Sequence, residues 1–184
     1  MRKVLFLFAD LSDADVEWLA AAGERQSIPE GSVLIRQGET IRVVYILLDG
    51  QLSVHLEHRP ERIATLQRGE IVGELSFLDA RPPSATVTAA TDSIVLAISR
   101  DKLRGRLERD TAFAAKFYRA LGVFLSVRLR STMKKLRSGQ SDSPQAEDQV
   151  AEEITPQLLG SVAIAARRFE LLVERTSRAK GRIE

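Results

Sequence analysis

With 184 residues, 44% of them hydrophobic and 28% charged, the chain has the balance expected of a globular protein with one domain and an extension. It contains no cysteine, which excludes disulfides, a thiolate nucleophile and Cys-ligated metal centres. The net charge of +2 conceals a partition: residues 1–101 sum to −5, residues 102–137 to +9 and residues 138–184 to −2. Such a basic segment either attracts phosphates or an anionic surface, or is a solvated helix face balanced by the acidic remainder.

The first apolar stretch, Val4 to Ala9, is followed at once by acidic residues. It is too short for a signal peptide, and no apolar run nears the roughly 20 residues of a membrane helix. A cytoplasmic protein without membrane insertion is expected. Ser12 then opens a helix with Asp13 and Asp15 in its first turn, Val16, Leu19 and Ala20 facing inward, and Gly23 at its end. From Ile28 to Ser99 the period becomes that of short strands. The runs are 33–35, 43–48, 52–56, 62–66, 85–87 and 93–98, cut by turn residues at 30–31, 37–38, 49–50, 59–60, 68–69 and 82–83. Strands this short and evenly spaced predict a sandwich or barrel. Asp49-Gly50 between two apolar runs is a hairpin signal.

After Arg100 the helical period returns. Asp101 is expected to cap a short helix ending near Glu108, and a long helix follows from Thr111 to Arg137. Its stripe is Phe113, Phe117, Ala120, Leu121, Phe124, Leu125, Leu129, Met133 and Leu136. A helix of about 40 Å beside a small barrel needs a partner for that stripe, which points to a homodimer through residues 111–137. Residues 138–154 read as a flexible linker. Thr155-Pro156 begins a C-terminal helical extension, 155–184, with Leu159, Val162, Ala166, Phe169 and Val173 on one seam. That seam serves either a partner helix or a return onto its own chain.

Chemistry concentrates in Gly69 to Val87. Gly73 permits a close backbone approach, and Glu74 to Leu78 can form one helical turn whose free amides suit an anion. Glu74 cannot bind a phosphate but can accept hydrogen bonds from a sugar hydroxyl, so the pair describes a ribose phosphate. The two histidines, His55 and His58, lie three apart on a strand and face opposite sides, which disfavours a shared metal. With no nucleophile elbow, Walker loop or dinucleotide fingerprint, catalysis is not expected. The basic group Arg128, Arg130, Lys134, Lys135 and Arg137 leaves non-specific nucleic-acid contact open.

The blocks Gly31 to Glu39, Tyr45 to Val54 and Gly69 to Val87 resemble the cyclic nucleotide-binding domain family across roughly residues 8–136. The resemblance implies an eight-stranded jelly-roll barrel, residues 1–137, whose last helix acts as lid and dimer contact. It implies cAMP or cGMP as ligand, and from the residues themselves no metal is expected. Glu74 would hold the ribose 2′-hydroxyl. Gly73, Leu75 and Ser76 would contact phosphate and ribose, and Ser84 and Ala85 would touch the cyclic phosphate. The family's arginine before Ser84 is replaced by Pro83, which has neither charge nor amide donor. Arg81, two residues upstream, is the candidate substitute, in which case Arg81→Ala should weaken binding about a hundredfold. A smaller departure is Ile41, where many members have glycine. Residues 138–184 show no winged helix-turn-helix, so sequence-specific DNA binding is not expected within this sequence. Two readings follow: a cyclic-nucleotide-responsive regulatory module signalling to a protein partner, or a barrel that has lost the nucleotide and serves as an assembly adaptor.

Overall fold

The structure, a computed structural model, describes residues 6–57, 59–138 and 156–179. Two short helices come first, α1 (Phe6–Asp10) and α2 (Asp13–Ala22). Ser12 caps α2 as expected. Its hydroxyl accepts from the Asp15 amide while the Asp15 carboxylate takes the Ser12 amide, a reciprocal pairing that satisfies two free donors.

Eight strands follow: β1 (Gly23–Ile28), β2 (Val33–Ile35), β3 (Val43–Asp49), β4 (Gln51–Leu56), β5 (Arg59–Gln67), β6 (Ile71–Val72), β7 (Thr86–Ala89) and β8 (Ser93–Ser99). They form two four-stranded antiparallel sheets, ordered β1-β8-β3-β6 and β2-β7-β4-β5. Helix α3 (Glu74–Asp79) interrupts the strands. Helices α4 (Arg100–Arg109), α5 (Thr111–Ser138) and α6 (Pro156–Ala179) follow them.

The eight-stranded jelly roll with a long following helix is therefore as expected from sequence. Two strands escaped sequence reading. Residues 23–28, Gly-Glu-Arg-Gln-Ser-Ile, carry no apolar alternation, and their pairing with β8 along its whole length is what makes them a strand. Strand β6 is only two residues long and is defined by its pairing with Tyr45 and Ile46. Asp49-Gly50 is not a hairpin. It carries the chain from β3 in one sheet to β4 in the other, and the two strands do not pair. Gly50 adopts φ +87, and a Cβ there would lie 2.6 Å from the Asp92 carbonyl oxygen. The sharp corner, rather than a two-residue loop, is what demands glycine.

Two apolar clusters hold the molecule together. Leu47, Leu52, Leu66, Val87 and Val95 fill the space between the sheets. The opposite faces of β3 and β8, through Val44, Ile46, Leu48, Leu96 and Ile98, pack against the helices. Both faces of these central strands are thus buried, which explains their near-continuous apolar sequence. The first half of the α5 stripe, Phe113, Phe117, Ala120, Leu121 and Phe124, is buried within the chain itself, while Leu129 and Met133 are exposed.

The expected linker lies almost wholly outside the described residues. Helix α6 returns onto its own chain. Among its described side chains, Ala165, Phe169, Leu172 and Thr176 are buried. The apolar ones join Phe8, Leu11 and Val16 in the helical cluster. The buried seam is thus rotated by about one residue from the expected one, because Arg168 and Arg175 turn toward α1 and α2.

Candidate functional site

The site begins with the backbone. Gly73 sits at φ +85 and ψ 8, immediately before α3. A side chain there would be strained by the left-handed conformation and would bring a Cβ 2.8 Å from Ile41 Cδ1 and 3.2 Å from the Val43 oxygen. The isoleucine that departs from many family members is therefore packed against the turn itself. Ala80, also left-handed at φ +59, ends α3 with its amide bonded to the Ser76 oxygen. The segment from Gly69 to Val87, the cassette, is stapled by Arg100, the first residue of α4. One guanidinium nitrogen donates to the Ile41 oxygen at 2.7 Å and the other to the Ser76 oxygen at 2.6 Å. Arg100 joins the loop before β3, helix α3 and the start of α4, yet in sequence it is only the residue where the strand period ends.

Glu74 is not turned to water. It is 3% exposed, at the first position of α3. Burial raises its carboxyl above the ordinary range, while Arg128 and the amides of Glu74 and Gly73 pull in the other direction. Arg128, on the long helix α5, donates to Glu74 Oε1 at 2.7 Å and lies over the Phe124 ring. Sequence reading grouped Arg128 with an exposed basic cluster. The signal for its true place was its position: Phe117, Leu121, Phe124 and Arg128 follow at steps of four, three and four, so Arg128 continues the buried face.

The remaining candidates divide. Ser76 is buried beside Glu74 on α3, whereas Leu75 is half exposed. The Pro83 oxygen accepts from the Gly38 amide at 2.9 Å, tying the end of the cassette to the loop after β2. Gln37 makes a parallel tie, its amide donating to Thr86 Oγ1 at 3.0 Å. Ser84 is exposed and Ala85 half-buried between these ties and β7. Arg81 is directed outward. Its side chain is 84% exposed and its nearest charge is Asp79 at 3.9 Å. The structure therefore brings Gly73, Glu74, Ser76 and Arg128 together and leaves Arg81 in solvent. No group of His, Asp and Glu suited to a metal occurs among the described residues. No described helix is long and apolar enough to cross a membrane.

A two-sheet antiparallel barrel, interrupted by a glycine-led helical turn and followed by a long helix, defines a jelly-roll domain. Residues 25–110 match the family described as the cyclic nucleotide-binding domain. The match runs from within β1 to the end of α4. Among curated proteins, a cGMP-dependent protein kinase of Eimeria tenella is 35% identical over 96 residues, covering 52% of this chain and 9% of that protein. A cyclic AMP receptor protein of Thermus thermophilus is 28% identical over 106 residues, covering 56% of this chain and 49% of that one. The chain thus spans less than half the length of these two relatives. A solved cyclic nucleotide-binding domain from Methylobacillus flagellatus superposes with a TM-score of 0.68 at 21% identity, over 77% of this chain and 85% of that one, a likeness of fold.

Proposed function

We propose that this chain is a cyclic-nucleotide-responsive regulatory module, not an enzyme, that acts in the cytoplasm on a protein partner through its C-terminal helices. The observation that carries the reading is the buried carboxylate of Glu74 at the left-handed Gly73 turn, faced by Arg128 from the lid. A barrel used only as a scaffold has no need to withdraw a carboxylate from water, since burial costs several kcal/mol per ion and a single partner offsets only part of it. In this reading Glu74 holds the ribose hydroxyl of cAMP or cGMP, nucleotides named in the two curated relatives described above. The amides of Leu75 and Ser76 at the start of α3, with Ser84 and Ala85 across the cassette, receive the phosphate. Because Arg128 occupies Glu74 Oε1, a sugar that takes that oxygen must shift the lid.

The same reading takes the exposed end of α5, with Leu129 64% and Met133 55% exposed, as the contact between two copies. Light scattering should then give twice the chain mass of 20.4 kDa.

Pro83 in place of the family arginine, with Arg81 in solvent, favours the adaptor reading. Titration calorimetry with cAMP and cGMP separates the two. Binding that Glu74→Ala weakens at least a hundredfold supports the regulatory module. Absence of heat at millimolar concentrations of both nucleotides leaves the adaptor.

A further inference from the structure

Helices α1 and α2 form a layer with a neighbour on each side. Toward the lid, Lys116 Nζ of α5 donates to Asp15 Oδ2 at 3.1 Å, and Arg119 lies 3.5 Å from the Asp10 carboxylate. Toward α6, Arg168 donates to Asp13 Oδ1 at 2.9 Å and to the Ala9 oxygen at 2.9 Å, where α1 ends with free carbonyls. Arg175 reaches Glu17 Oε1 at 2.6 Å, and Phe169 meets Phe8 edge-on at 5.4 Å. Asp13 and Glu17 are one helical turn apart, whereas Asp15 projects about half a turn away from both. The lid and α6 therefore hold opposite sides of the same helix.

The hold on α6 has the character of an association surface. A compact apolar centre is rimmed by ion pairs whose members are partly in solvent, including Arg175–Glu17 and Arg68–Glu170. Pairs of that kind fix register and contribute little to stability. Covalently, α6 is tied to the rest only through residues 139–155, which contain no aromatic side chain.

We propose that α6 is a detachable output helix. It rests on the α1–α2 layer while Arg128 pins the lid to Glu74. It is released, uncovering Ala165, Phe169 and Leu172, when a ligand takes Glu74 and the lid pulls on Asp10 and Asp15. The coupling rests on the reading of Glu74 as a ligand group, and its test separates the two.

The chain lacks cysteine, so nitroxide labels on Glu57→Cys and Glu174→Cys of the full chain report the distance from α6 to the barrel by double electron–electron resonance. One narrow distance is expected without ligand. Asp13→Lys with Glu17→Lys should broaden it, and adding Arg168→Glu with Arg175→Glu should restore it; a distribution that stays narrow in the first pair overturns the proposal. Arg128→Ala, and saturating cAMP or cGMP in the parent, should each raise the broad fraction at least threefold. Nucleotide binding seen by calorimetry with an unchanged distance overturns the coupling and leaves the proposed function standing. If neither nucleotide binds, the proposed function fails and Arg128→Ala decides alone: release supports the coupling, and an unmoved α6 refutes it.

Discussion

Replacing Arg128 by leucine isolates the cost of the buried carboxylate. The substitution keeps an apolar stem over Phe124 and removes the cation 2.7 Å from Glu74. Breaking a fully buried pair by deleting one partner costs about 3–5 kcal/mol. Here the arginine side chain is 32% exposed, so solvent already screens part of the interaction, and about 2 kcal/mol is the expected loss near neutral pH. The loss must depend on pH with a definite sign. Glu74 is held above its ordinary value of 4.5 by burial, so the folded state binds the proton more tightly than the unfolded chain. Its stabilisation is complete below 4.5 and is lost as pH rises through the raised folded value. Without Arg128 the carboxyl rises further, and the decline with pH grows. Parent and variant should therefore converge in acid, below the ordinary value of 4.5, and separate by about 2 kcal/mol once the pH has passed the raised folded value. Urea unfolding followed by the single tryptophan, Trp18, which packs edge-on to Phe113, measures both. A difference of the same size at both pH values, or none at either, would refute the argument that Arg128 acts by neutralising a buried Glu74.

Three other outcomes are expected. Gly73→Ala should lower stability by about 1–3 kcal/mol from left-handed strain and the contact with Ile41, and Ile41→Ala should restore only the contact part in denaturant titrations. Arg100→Gln should cost about 1–3 kcal/mol by orphaning the Ile41 and Ser76 carbonyls, measured the same way. For Asp15, burial acts to raise the carboxyl, but bonds from Ser12 and Lys116 outweigh it and hold the group low. Its contribution is present above the ordinary carboxylate value and is lost as pH falls through the lowered one. Asp15→Asn should thus destabilise the chain at neutral pH and make little difference in strong acid.

The sequence by itself determined the barrel, the cassette and the α4–α5 hinge. These rest on local rules: the Ser12 cap, apolar runs of strand length, glycine at forced turns, and a three-four stripe along α5. The family likeness carried Gly73 and Glu74 for the same reason, since the turn and its carboxylate are neighbours in the chain. Only the tertiary structure decided what joins across distance. Strand β1 exists because β8 offers it a ladder, Asp49-Gly50 became a corner because its two strands belong to different sheets, and α6 chose its own α1–α2 layer over a partner. Arg128 shows the limit most clearly. An arginine among basic residues reads as a solvated charge until folding sets it 54 positions away in sequence against Glu74, where exclusion of water makes the carboxylate its necessary neighbour.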